Sequence, residues 1–193
     1  QESFADDPLR MLRAARFVST LAVSVTDDVR AAMVELAPDL ARITAERVQA
    51  ELSKLLLGKN PRAGLELAVE TGLAEVVLPE LPALHMADDE HGQHKDVYAH
   101  TLQVLEQAID LEHEPDLVLR WAALLHDIGK PATREFVPGG RVTFHHHEVV
   151  GARMARKRLK ALRYSNDIVD DVGQLVFLHL RFYGYRTSDW TDS

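Results

Sequence analysis

The chain contains no cysteine. Disulfides and thiolate metal sites are therefore excluded, and any bound metal must take its ligands from His, Asp, Glu or water. The same absence agrees with a cytoplasmic protein. No apolar run approaches the roughly 18 residues of a membrane helix. The first ten residues, QESFADDPLR, are polar and acidic and do not read as a signal peptide. Repeats, low-complexity tracts and flexible Gly/Ser linkers are missing as well. Histidine is absent from the first 84 residues, since all ten lie between His85 and His179.

What is present is an ordinary soluble composition: 46% hydrophobic and 27% charged over 193 residues. This length allows one elongated domain or two small ones, with enough chain for a real core. The net charge of −8 would repel nucleic acid if it were spread evenly. It is not. Residues 1–62 hold nine Lys+Arg and nine Asp+Glu, so the remaining 13 basic and 21 acidic groups carry the whole deficit. Charge and histidine together predict two segments of different chemistry, 1–84 and 85–193, meeting near Pro79 to Asp89.

Nearly all of the chain reads as helix. Asp7-Pro8 is a start signal, with Asp as cap and Pro at the first helical position. Leu9, Leu12, Ala15 or Arg16, and Val18 or Ser19 follow at helical spacing. Thr26 is placed to cap DDVRAAMVELA, which Pro38-Asp39 should end. Thr44 opens AERVQAELSKLLLG, and Asn60-Pro61 opens RAGLELAVETG, which closes at Gly72. After a short apolar stretch and the polar MADDEHGQHKD, the segments VYAHTLQVLEQAI and LVLRWAALLHD read as two further helices. REFVPGGRVTF has the form of a tight hairpin. HHHEVVGARMARKRLKAL is a basic helix, and IVDDVGQLVFLHLRF, begun by Asn166 or Asp167, is the last.

The chemistry concentrates in His100, His126-Asp127, the run His145-His146-His147, and His179. Each lies on or beside a different helix, so packing can gather them. An adjacent His and Asp at a helix end are either a capping pair or two ligands of one metal. Neighbours on a regular helix diverge by about 100°, so both can aim at one ion only where the helix loosens, and Gly129 stands where it would permit that. The ordinary reading of any single histidine is a satisfied core or surface residue, and His85, His91, His94 and His113 read that way. Of the three adjacent histidines, only one or two can face inward. Lys130 either neutralises charge on a bound phosphate or merely favours the negative end of the preceding helix. Arg153, Arg156, Lys157, Arg158, Lys160 and Arg163 make one dense basic helix. It is either a solvated face or an RNA contact through Arg153, Arg156, Lys157 and Lys160.

HTLQVL, ALLHDIGKP, HHEVVGARMA and LVFLHLRF, in this order and spacing, resemble the HD superfamily of metal-dependent phosphohydrolases. The resemblance implies an all-α fold and one or two divalent metals drawn from Mn, Ni, Mg, Fe or Zn. It makes His100, His126 and Asp127 metal ligands, with His147 (or His146) and His179 as the further histidines of two-metal members. His126, Asp127 and Lys130 would be the catalytic set. The last ligand of that family is usually a later Asp, for which Asp189 and Asp192 are the candidates.

A second signal lies in DDPLRMLRAARF. Asp7 and Arg10 share one helix face, and Arg13 and Arg16 continue the series. A carboxylate beside a guanidinium can read a base edge; it can equally be a cap beside an exposed arginine face. This stretch, with AERVQAELSKLL after it, resembles the segment that follows the catalytic head in tRNA nucleotidyltransferases and bacterial poly(A) polymerases. The resemblance implies that Asp7 and Arg10 pair with the base of incoming CTP or ATP and that Arg13 contacts nucleotide phosphate or the fold. Glu46, Arg47 and Glu51 would brace the neck. It also implies tRNA as a partner and a catalytic head before Gln1, because no Gly-Ser with an Asp-x-Asp carboxylate pair is found. No membrane is involved, and a homodimer is left open.

Three readings follow. The chain is the neck, body and HD part of a CCA-adding enzyme, keeping at most a metal-dependent phosphatase or 2′,3′-cyclic phosphodiesterase activity. Alternatively it is a stand-alone HD nucleotide phosphohydrolase, or an inert RNA-binding or dimerisation module. DDPLRMLRAARF favours the first, since a free-standing phosphohydrolase does not require it.

Overall fold

The computed structural model describes residues 2–86, 96–137 and 141–181. It is all-helical apart from one small hairpin, as the sequence predicts. α1 (Glu2–Asp6) turns at Pro8 into α2 (Leu9–Leu21). Asp7 Oδ1 accepts from the Leu9 amide at 3.3 Å, so it does serve the start of α2. Leu9, Met11, Leu12, Ala15, Val18 and Ser19 form the buried face of α2, which decides for Ala15 over Arg16. Ser19 tolerates burial because its hydroxyl donates to the Leu55 carbonyl at 2.6 Å.

α3 (Asp27–Leu36) and α4 (Ala45–Leu56) begin after Thr26 and Thr44, as expected, but neither threonine hydroxyl makes a capping bond. α3 ends at Leu36, just before Pro38-Asp39, where the sequence puts its stop. The chain tightens there into a 3-10 turn, Ala37–Arg42, whose first positions accept Pro38 because their amides need no helical partner. α5 (Pro61–Glu70) is capped by Asn60, which accepts from the Ala63 amide at 3.2 Å. Gly72, at φ 78°, then reverses the chain, and the short apolar stretch after it folds as α6 (Leu73–Val77).

In the second half, α7 (Val97–Leu111) is capped by Asp96 and α8 (Leu117–Leu125) by Asp116, whose carboxylate accepts from Val118 and Leu119 at 2.9 and 3.1 Å. The hairpin pairs β1 (Glu135–Val137) with β2 (Arg141–Thr143), Phe136 opposite Val142. Its turn, Pro138-Gly139-Gly140, lies outside the described residues. α9 (His147–Ala161) and α10 (Asn166–Leu178) pack on each other. α10 also packs on α8, and α8 on α7. Arg120 to Leu125 are all buried, which makes α8 the central rod of this half.

The apolar core runs without a break from Leu9 through Trp121 to Val176. Polar ties reinforce that continuity. Arg120, 3% exposed, donates to the carbonyls of Leu56 and Gly58 at the end of α4 and pairs with Glu112. Ser53 and Tyr164 share a 2.7 Å hydroxyl bond, and Arg158 forks onto Glu80. Among the described residues, no helix is long and apolar enough to cross a membrane.

Candidate metal centre

α8 ends at Leu125, and the chain does not loosen beyond it as the sequence suggests; it tightens. Ile128 and Lys130 donate to Leu125 and Asp127 in i to i+3 turns. This carries His126 and Asp127 to the same side. Gly129 has a different task from the expected one. A Cβ there would overlap the His147 carbonyl oxygen and stand 2.7 Å from the Gly151 amide nitrogen. Glycine lets the first turn of α9 settle against this turn, and that contact delivers His147 to Asp127.

Three histidines are oriented in one way. His126 Nδ1 donates to the Ala123 carbonyl at 2.8 Å, His147 Nδ1 to Phe144 at 2.8 Å, and His179 Nδ1 to Val176 at 2.6 Å. A carbonyl only accepts, so each Nδ1 carries the proton and each Nε2 is left with its lone pair. All three Nε2 atoms converge on one buried carboxylate. Asp127 Oδ2 lies 3.1 Å from His126 Nε2 and 4.0 Å from His100 Nε2. Its Oδ1 lies 3.3 Å from His147 Nε2 and 3.8 Å from His179 Nε2. Asp127 thus faces two sets of donors, His100 with His126 on one side and His147 with His179 on the other, and each set offers ligand atoms within 4.8 Å of one another.

These are acceptors facing acceptors. His147 Nε2 and His179 Nε2 are 3.3 Å apart. Two bare lone pairs and a carboxylate at such distances need a proton or a cation among them. The titration directions agree. Burial works most strongly against the charged form of His147, but the bonds to Asp127 and to the Phe144 carbonyl, with the Asp127 charge, together raise the ring above its ordinary value. Burial lowers His179, helped by the neighbouring His126 and His147. Burial opposes ionisation of Asp127 too, yet bonds to His126 and His147, with the Lys130 charge, hold it well below the usual carboxylate range. The donor set therefore fits a divalent cation, and imidazole with carboxylate is the ligand chemistry of Mn, Fe, Ni or Zn more than of Mg. Carbonyl-oriented imidazoles are also the usual outer support of metal-binding histidine.

The centre opens into a pocket of about 170 Å³, edged by Lys130 and Leu180. Lys130 Nζ lies 2.7 Å from Asp127 Oδ2 and 5.7 Å from the Phe144 ring centroid. His100, 38% exposed, stands at the mouth. Of the histidine run only His147 turns inward; the His146 side chain is 82% exposed. Asp189 and Asp192, the candidates for a last ligand, lie outside the described residues, as do His91 and His94. Sequence reasoning missed Phe144, whose carbonyl orients His147, and Leu180 at the pocket edge. No local signal marks either.

The neck residues stand apart from this centre. Asp7 and Arg10 are not paired with each other. Asp7 accepts two bonds from Arg47 at 3.2 and 3.3 Å, and Arg10 donates to Ser3. Arg13 and Arg16 both reach the buried Glu51, at 3.4 and 2.8 Å. On the basic helix, Arg153, Lys157 and Lys160 are exposed. Arg156 lies over Gly173 beside Asp170, Arg158 is held by Glu80, and Arg163 is 3.8 Å from Glu46.

Comparison with known proteins gives two family matches. Residues 23–84 match a family described as "Probable RNA and SrmB- binding site of polymerase A", and residues 97–189 match the HD domain. The chain is 36% identical to an A-adding tRNA nucleotidyltransferase of Deinococcus radiodurans and 38% identical to a CC-adding tRNA nucleotidyltransferase of Thermus thermophilus, each over 93% of this chain and 43% of the relative. A "Multifunctional CCA protein" of Haemophilus influenzae is 36% identical over 87% of this chain and 43% of its own length. The chain therefore spans less than half the length of these relatives.

Proposed function

Because this chain matches the C-terminal part of tRNA nucleotidyltransferases and residues 97–189 match the HD domain, we propose that it serves the addition of C or A residues to tRNA 3′ ends and houses a second, hydrolytic centre. The hydrolytic centre is the His/Asp cluster, acting on phosphomonoesters or 2′,3′-cyclic phosphates. The observation that carries this reading is the common orientation of His126, His147 and His179, with Nδ1 spent on carbonyls and Nε2 aimed at Asp127. A divalent ion held there would supply hydroxide near neutral pH and polarise a phosphoryl oxygen. The protein's part is positioning. His100, His126, His147, His179 and Asp127 would hold the cation, with the buried carboxylate balancing its charge. Lys130 stands at the pocket edge, where its ammonium offsets the charge of a phosphate. His100 leaves the centre accessible.

The N-terminal helices take part in nucleotide choice and tRNA binding in the longer enzyme, whose site is cytoplasmic. Asp7, Arg10 and Arg13 act there with CTP or ATP, Arg47 fixing the Asp7 carboxylate. Arg153, Arg156, Lys157 and Lys160 are the tRNA-facing cations of α9. The decisive experiment is elemental analysis of the purified chain together with hydrolysis of 2′,3′-cyclic AMP and p-nitrophenyl phosphate in Mn or Ni. His126→Ala and Asp127→Ala each lose metal and turnover while helix content stays unchanged. Equal metal content in all three proteins overturns the hydrolytic reading.

A further inference from the structure

The pocket of the metal centre, about 170 Å³, is smaller than the roughly 300–1,000 Å³ of a site that encloses a whole organic ligand. It has room for a phosphoryl group and not for the body that carries it. A second recess, of about 500 Å³, adjoins it, and His100 lines both. The recess follows α7 away from the centre. Asp96, Ala99, His100, Gln103 and Glu106 stand at i, i+3, i+4, i+7 and i+10, along one face of that helix. Arg62 of α5 forms the opposite wall.

The two spaces have opposite electrostatic character. Arg62 donates to Glu66 and to Glu106, each at 2.8 Å, so two carboxylates more than match its charge. Asp96 adds a third carboxylate, and the recess is left negative. The metal centre beside it holds Lys130 and calls for a cation. A ligand that spans both is therefore sorted by charge, with its phosphate at the centre and a neutral part in the recess. Carboxylates accept from hydroxyl and N–H donors, and the exposed Gln103 amide both donates and accepts. Ala99 is exposed between these longer side chains and leaves a low floor on which a ring can lie. A second phosphate in the recess would stand among like charges, which repel it.

We infer that the α7 recess seats the neutral, hydroxyl-bearing body of the phosphoester whose phosphate enters the metal centre, with Gln103 and Glu106 as its specificity-determining residues. The body of matching chemistry is a single nucleoside with a free 5′ hydroxyl. An RNA strand end carries its next phosphate into the recess and is disfavoured there. The inference rests on the hydrolytic reading of the His/Asp cluster and adds to it a choice of substrate: phosphates of single nucleosides over phosphorylated strand ends.

Two readouts on the whole chain test it. In EDTA, where nothing turns over, adenosine is titrated into isotope-labelled protein. The side-chain amide of Gln103, assigned from its loss in Gln103→Ala, is followed by NMR. Adenosine shifts that amide with a Kd in the millimolar range, adenosine 5′-monophosphate binds about three- to tenfold more weakly, and the exposed Gln174 amide of α10 does not move. Glu106→Gln, in which Arg62 keeps Glu66, closes the gap between the two ligands, and circular dichroism verifies its fold. In Mn, kcat/KM for 2′,3′-cyclic AMP exceeds that for the same compound with a 5′ phosphate by a similar about three- to tenfold factor. Gln103→Ala raises KM for 2′,3′-cyclic AMP with kcat little changed, and Glu106→Gln narrows the ratio. A Gln103 amide that adenosine leaves unmoved, equal binding of adenosine and its 5′-monophosphate, or an undiminished gap in Glu106→Gln overturns the inference. A wild-type chain that binds adenosine as described and cleaves no phosphoester in Mn or Ni removes the hydrolytic reading and leaves the nucleoside seat standing, so the two fall separately.

Discussion

His147 Nε2 and His179 Nε2 face each other at 3.3 Å while both Nδ1 protons are spent on backbone carbonyls. Such a pair is stable only with a positive charge between the rings. A ligand that binds the folded chain and not the unfolded one stabilises it by mass action, about 2.7 kcal/mol at a hundredfold excess over Kd. Mn or Ni added to EDTA-treated protein accordingly raises the thermal midpoint. In His179→Ala, which keeps the His100/His126 set, the rise shrinks; in Asp127→Ala, which breaks both sets, it vanishes. Calorimetry at fixed metal concentration reads the difference.

Gly129 sets how closely the start of α9 approaches the turn after α8. A methyl group there meets backbone, which cannot swing aside. Gly129→Ala therefore costs about 1–3 kcal/mol, the range for forcing atoms into a filled site. It also displaces His147 from Asp127, so metal affinity falls together with stability. Urea unfolding with an unchanged m-value checks the first effect, and metal titration of the folded variant checks the second. An Ala substitution at the exposed Lys157 changes neither.

The local signals in the sequence were readable because they are local. Asn60, which the sequence marks as a helix start, caps α5 through a bond spanning three residues, and the helix periods follow from the apolar spacing, whereas Asp96, read only as the end of a polar stretch, proves to cap α7. Thr26 and Thr44 look alike on paper, yet their hydroxyls are unused. Gathering of the histidines could be expected, but not which member of the run His145-His146-His147 turns inward. That depends on the left-handed turn at His146, φ 60°, and on the contact at Gly129. Pairings such as Asp7 with Arg47, and Arg120 with the end of α4, join residues 40 or more positions apart. No spacing rule reaches that far. The split in charge and histidine content suggested two chemistries, and it left unseen that a single core runs through both.

Asp7 and Arg47 form a partly exposed ion pair, 3.2 Å apart, with 24% and 48% of their side chains accessible. Exposed pairs contribute little to stability, about 0.2–1 kcal/mol. Asp7→Ala should therefore leave the melting midpoint of the chain nearly unchanged. On the proposed function, the same change in the longer enzyme shifts the choice between CTP and ATP, because the carboxylate that Arg47 fixes is the group proposed to meet the base. Arg47→Ala shifts the same choice more weakly, through a loosened Asp7. Incorporation of each nucleotide into a tRNA acceptor measures both, and an unchanged preference in Asp7→Ala removes the role.

Arg120 carries the sharpest prediction for stability. It leaves α8 to satisfy the Leu56 and Gly58 carbonyls at the end of α4, and Glu112 balances its charge. Removing one partner of a buried pair strands the other, at a cost of about 3–5 kcal/mol. Arg120→Ala pays that cost and also leaves two carbonyls unmet, whereas Arg120→Met refills part of the volume and is the milder variant. The pair has a pH signature. Hydrogen bonding to Arg120 lowers Glu112 from its ordinary value of 4.5, against the opposing pull of burial. A carboxylate depressed in the folded state contributes stability that is full above its unfolded value and is lost as pH falls through its folded value. The urea midpoint of the wild-type chain therefore declines on acidification below about pH 4.5. Glu112→Gln starts lower at neutral pH and declines less over that range. Other carboxylates titrate there too, so the difference between the two curves, rather than either alone, isolates Glu112. Parallel curves down to pH 2.5 would mean that Arg120 is held by the α4 carbonyls without help from Glu112.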